Sequence, residues 1–162
     1  MLSSLLNRLN LFLKATGAVA LTAMMLLTVI DVTGRLFKYP IFGSVELVGF
    51  LAVIVMAAAL PYTYQMDGHV GVEIFLRLLP KRWRLAFEIG TRVCSFALFS
   101  VIAWQMFVYA ADLKASGEVS MNLEFPVFYI VYVLAGCLTV FALTIFQRIV
   151  DFAIQSRMPV PK

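Results

Sequence analysis

The residues of this chain that could carry chemistry are few, and their spacing argues against most of it. The single histidine, His69, has only Asp67 and Glu73 near it in sequence. Three such residues at the exit of an apolar run read as a solvated helix cap, not as a metal centre. Cys94 and Cys137 stand alone in apolar stretches without CxxC spacing, so they read as small hydrophobes. A haem held between helices would need paired axial ligands; one histidine does not supply them, and methionines on apolar helices read as packing residues. There is no Ser/His/Asp set, no glycine-rich phosphate loop and no metal-ligand cluster. The chain is therefore expected to be no enzyme and to hold no cofactor and no metal.

What remains is a set of polar and charged residues placed where a partner could meet them: Arg35, Glu46, Asp67, His69 and Arg92. Arg35 and Glu46 fall at the ends of two apolar runs joined by a short turn. They read either as end residues reaching for water or as contacts to a partner subunit. Arg92 follows Glu88 by four positions, which suits an ion pair within one helix; the alternative is a charge facing a partner inside the membrane.

The elements that position these residues are membrane spans. Of 162 residues, 62% are hydrophobic and 14% charged, and the mean hydropathy is +0.94, which is too apolar for a water-soluble domain. The net charge of +4 sits beside apolar runs, so it orients the chain in a membrane and does not point to nucleic acid. Between Glu46 and Asp67 lie 20 residues without formal charge, enough at 1.5 Å each to cross a core of about 30 Å. Ser44 is expected to cap that helix, with Glu46 in its first turn, and Pro61 and Asp67-Gly68 break the pattern at its far end.

The fold class expected is an all-α membrane protein, one integral domain over 1–162, with spans at about 15–32, 45–65, 85–110 and 125–147. A short interfacial amphipathic helix is expected between spans two and three. Its pattern is Val72, Phe75, Leu76 and Leu79 on one face and Glu73 and Arg77 on another, ended by Pro80. Residues 1–14 suit either an amphipathic surface helix or the first turns of span one. The apolar run from Ala15 lacks a small-residue cleavage site, so the segment is expected to be retained. Span one closes on Asp31 and Arg35 at an interface. Placing Asp31 at the bilayer centre would cost roughly 2.5 to 3.5 kcal/mol. Trp104 and Tyr109 are expected to approach the far interface of span three. The stretch 111–123 is expected to be a watery loop, with Asn122 and Glu124 as possible caps for span four and Pro126 in its first turn.

Arg8, Lys14, Arg77, Lys81, Arg82, Arg84, Arg148, Arg157 and Lys162 fall on one side, and Arg35, Lys38 and Lys114 on the other. The positive-inside rule then places both termini of the multi-pass chain in the cytoplasm. The spans expose apolar faces, and Gly49, Ala52 and Ala57 to Ala59 are small enough for close packing against another helix.

Several motifs occur in order along nearly the whole chain. They are D-V-T-G-R-L-F from Asp31 with Pro40-Ile41, S-V-E-L at Ser44 to Leu47, D-G-H-V-G-V-E from Asp67, a leucine-rich stretch to Leu79-Pro80 with a basic turn, and L-E-F-P-V-F-Y into the last span. In this the chain resembles the small membrane subunit of tripartite ATP-independent periplasmic (TRAP) transporters. It departs at Val45, where family members often carry a second polar or acidic residue.

The resemblance implies a non-catalytic small permease subunit of a sodium-coupled organic acid importer. Its partners would be a large membrane transport subunit and a periplasmic substrate-binding protein, besides membrane lipids, and no nucleic acid. The sodium gradient would be used by the large subunit, which the small one supports as a scaffold. The alternative is a stand-alone homo-oligomeric membrane transporter or an assembly factor.

Overall fold

The computed structural model describes residues 2–65 and 81–155. Four helices make it up: α1 (Leu2–Leu36), α2 (Ser44–Gln65), α3 (Lys81–Ser116) and α4 (Phe128–Gln155). Each contains a stretch long and apolar enough to cross a membrane, so the all-α, four-span architecture read from the sequence holds. The described residues contain no strand, only an isolated antiparallel bridge between Val119 and Pro126. The amphipathic segment expected at 69–79 lies outside the described residues.

With 35 residues, α1 is about 52 Å long, well beyond a hydrocarbon core. Residues from Leu2 onward therefore do not lie apart on a surface; they continue the helix of span one. The reason is an inward stripe that begins early. Leu6, Asn10, Gly17, Ala20 and Asp31 are all buried at helical spacing.

Small residues set the closest crossing of α1 with α2. A Cβ built on Gly17 would lie 3.3 Å from the Cβ of Ala58, and Ala57 and Ala58 are fully buried. Two of the small residues expected to receive another subunit's helix are thus used inside this chain, whereas Gly49 faces open space.

On the other side α3 lies along α4 through a ladder of rings. Phe96 meets Phe146, Phe99 meets Phe141 and Phe107 meets Tyr132, with centroids 5.5, 4.6 and 6.3 Å apart. The two hairpins join through α2 and α4, with a smaller contact between α1 and α4. This makes α4 the central helix, and Ala135, Leu138, Phe141, Ala142 and Ile145 are buried along it. Cys137 packs among them as a small hydrophobe, while Cys94 is exposed on α3.

Beyond the expected end near residue 110, α3 runs to Ser116. The apolar period continues through buried Ala110 and Leu113, and Gly117, at φ +69°, ends the helix with Glu118 N–H donating to the Leu113 carbonyl at 3.3 Å. Only 117–127 is loop.

Candidate partner-facing site

Two connections, 37–43 and 117–127, lie together at one end of the bundle, and acidic side chains tie them down. At the end of α1 the chain turns through a Schellman motif. Tyr39 N–H reaches the Gly34 carbonyl at 2.8 Å and Lys38 N–H reaches that of Arg35 at 3.1 Å. Lys38 takes the left-handed position at φ +63°. Gly34 is required here, since a Cβ would run into the Tyr39 carbonyl oxygen.

Asp31, buried one turn below, organises the turn. One carboxylate oxygen accepts Arg35 Nε at 2.8 Å and the other accepts the Ile41 N–H at 3.0 Å. The Ser44 hydroxyl interacts with the same carboxylate. Ser44 was expected to cap α2, but it is the Gly43 carbonyl that accepts the first helical bond, from Leu47 N–H at 3.1 Å. Gly43 sits at φ +71°, and its missing side chain leaves the room that the Leu123 side chain fills.

Glu46, in the first turn of α2, then binds the second connection. Its Oε1 accepts the backbone N–H and Nδ2 of Asn122 at 2.8 and 2.9 Å, and its Oε2 accepts the Leu123 N–H at 3.1 Å. Asn122 therefore serves α2 and not the start of α4, which begins after Pro126 at Phe128. The loop closes on itself where Ser120 N–H donates to the Phe125 carbonyl at 2.9 Å and Phe125 N–H to the Ser120 hydroxyl at 3.2 Å. Phe125 in turn lies 5.7 Å from Phe50 and 6.0 Å from Tyr129. Around this knot Phe37, Tyr39, Phe42 and Met121 point outward.

The opposite end is held by different chemistry. Asn10 and Thr144, each 1% exposed, bond across α1 and α4, with Asn10 Nδ2 donating to Thr144 Oγ1 at 3.3 Å. Lys14 Nζ donates to the Tyr62 hydroxyl at 2.8 Å and lies 4.0 Å from its ring centroid. The Arg92 guanidinium lies 4.4 Å from the Phe152 ring centroid.

Of the five candidates, Arg35 and Glu46 are thus brought to the same end but do not pair with each other. Arg35 has its side chain 56% exposed beside Asp31, and Glu46 is engaged by the second loop. Arg92 sits at the far end against α4. Asp67 and His69, like the Glu88 side chain, lie outside the described residues. The sequence reading passed over Asn10 and Thr144 as structural partners, and over Asp31 as the organiser of the turn. The Asp31 to Arg35 spacing of four carried a usable signal for the last.

Among the described residues no three His, Cys, Asp or Glu side chains gather as a metal site, and the serine hydroxyls of the knot, Ser44 and Ser120, help to hold the carboxylates of Asp31 and Glu46. The knot's arrangement suits recognition by shape and aromatic contact. The family described as tripartite ATP-independent periplasmic transporters, DctQ component, matches residues 24–154. No curated protein matches the chain.

Proposed function

This chain belongs to the DctQ component family of tripartite ATP-independent periplasmic transporters, and from that premise we propose that it acts as the fixed, non-catalytic support of a sodium-coupled organic acid importer. In this reading a soluble binding protein delivers the acid to a large membrane subunit. That subunit carries it inward on the sodium gradient, and the small subunit braces it. Both termini lie in the cytoplasm and the tied loop end faces the periplasm, where the binding protein docks. The orientation rests on the distribution of basic residues.

The observation that carries the proposal is where the charges are. No formal charge lies between Lys14 and Asp31, Glu46 and Asp67, Arg92 and Asp112, or Glu124 and Arg148, and the carboxylates of Asp31 and Glu46 are occupied by bonds within the chain. An anionic substrate crossing the bilayer would need a compensating charge at depth. Such a chain supports transport without conducting it.

Reconstitution in liposomes with an imposed sodium gradient tests this. The chain alone should give no uptake, and addition of the large subunit and the loaded binding protein should restore it. Uptake by this chain alone would favour a stand-alone transporter, and full uptake by the other two without it would end the support role.

A further inference from the structure

On the outer face of α3, Trp104 and Gln105 are both exposed, Trp104 by 71%. From the sequence, Trp104 is expected to mark the approach to the far interface of span three. Phe107 lies against Tyr132 and Phe99 against Phe141, so Gln105 is level with the α4 turn around Leu134 and Ala135. From Asp112, where the charge-free run of α3 ends, Gln105 lies about 10 Å along the axis, about a third of the way into a hydrocarbon core of about 30 Å. An amide and an indole N–H therefore sit side by side within the charge-free length of α3 and face away from the bundle.

Neither side chain has a hydrogen-bond partner among the described residues. The contrast with the other polar groups on outward faces is chemical. Thr16, Thr22, Thr28, Thr33, Thr63 and Thr91 each donate their hydroxyl to the carbonyl four residues earlier. A threonine can thus face lipid at little cost, because its own helix satisfies it. The Gln105 carboxamide, with two donors and an acceptor, has no such local outlet. In hydrocarbon it would stay unpaired, which is strongly disfavoured. Two turns toward the loop end on the same stripe, Asp112 is also exposed, and Val101 and Val108 complete the face.

We propose that this face of α3, centred on Trp104 and Gln105, is the docking surface for a transmembrane helix of the large membrane subunit. The inference rests on the reading of the chain as a subunit of a larger transporter. The incoming helix presents a serine, threonine, asparagine or glutamine at the depth of Gln105, and a basic side chain level with Asp112. Trp104 supplies the large apolar contact that such interfaces concentrate near their centre. A second copy of this chain fits less well. A two-fold contact along the stripe would set Asp112 against its own copy, a like-charge pair at the rim.

The test uses the complete complex, purified through a tag on this chain, with a photo-crosslinking amino acid at Val108. A covalent product with the large subunit is expected. Gln105→Leu should weaken retention of that subunit about three- to thirtyfold, the range for one interhelical hydrogen bond, with the thermal melting of the chain alone unchanged. Trp104→Ala should weaken it as well. If Gln105→Leu retains the large subunit as well as the unmodified chain does, or if Val108 captures only lipid or a second copy, the surface is wrong while the support role stands. If the unmodified chain retains no large subunit, that role fails and this surface with it.

Discussion

Asn122 donates both its backbone N–H and its side-chain amide to one oxygen of Glu46, across 76 positions of sequence. The other oxygen takes the next N–H, of Leu123. One carboxylate at the start of α2 thus fixes the connection between α3 and α4, so the two hairpins are tied at the loop end by polar bonds as well as by helix packing. A surface used for docking gains from being ordered before its partner arrives, because less conformational freedom is then lost on binding.

Glu46→Ala should release that tie while leaving the four helices in place. Amide exchange at Asn122 and Leu123 should accelerate markedly, with exchange in the middle of α4 unchanged. Glu46→Gln, which retains one acceptor, should fall between the two. Equal protection of both amides in Glu46→Ala would show that the loop is held by Phe125 and its neighbours instead.

Two glycines with nearly the same backbone separate conformational strain from contact. Gly43 and Gly117 have φ of +71° and +69°, but a Cβ on Gly43 would meet the Leu123 side chain within 2.6 Å, whereas one on Gly117 meets nothing within 4 Å. Gly117→Ala should therefore show only the left-handed backbone cost, about 1 to 2 kcal/mol. Gly43→Ala should cost more. Adding Leu123→Ala should recover the excess and no more, as measured by thermal unfolding in detergent.

The four spans were legible because a bilayer demands long charge-free helices, and the runs after Lys14, Glu46, Arg92 and Glu124 meet that demand without tertiary information. The turn at 34–43 was legible for a local reason, since its glycines and proline lie within ten positions. What the sequence did not reveal is long-range. Nothing local says that Glu46 binds Asn122, or that Asn10, which looks like a surface residue on an amphipathic start, is buried against Thr144. The extension of α3 to Ser116 was obscured because Asp112 and Lys114 make its last turns look like loop, although Leu113 between them is buried.

That buried pair gives a measurable coupling. Asn10 and Thr144 bond across α1 and α4, and Thr144 Oγ1 also lies 2.8 Å from the Val140 carbonyl. Thr144→Val should therefore be costly, because it leaves the buried Asn10 amide unpaired, while after Asn10→Ala the Thr144 hydroxyl keeps the Val140 carbonyl and the cost is mainly a cavity. A double-mutant cycle should return an interaction of about 0.6 to 1.7 kcal/mol, the range found for interhelical hydrogen bonds in membranes. Strict additivity would mean that Asn10 is held there by packing alone.

Arg35 is where a folding role and a docking role can be told apart. Its Nε bonds Asp31 while more than half of its side chain remains exposed, so part of the guanidinium is available to a partner. Asp31 keeps the Ile41 N–H when Arg35 is removed, and the turn should survive. Arg35→Ala should then leave the melting temperature close to that of the unmodified chain, whereas Asp31→Ala, which strips the turn of its organiser, should lower it clearly. If Arg35 also meets the large subunit or the binding protein, sodium-driven uptake in the reconstituted three-component system should fall several-fold in Arg35→Ala at unchanged stability. Because an exposed charge contributes through steering, that loss should narrow at high ionic strength, where the field of Arg35 is screened in the unmodified chain as well. Arg35→Lys keeps the charge but loses the Nε–H that bonds Asp31. It should recover most of the uptake if charge is what the partner reads. Unchanged uptake in Arg35→Ala would make the residue an end group reaching for water, and would place recognition on the aromatic rim of Phe37, Tyr39 and Phe42 instead.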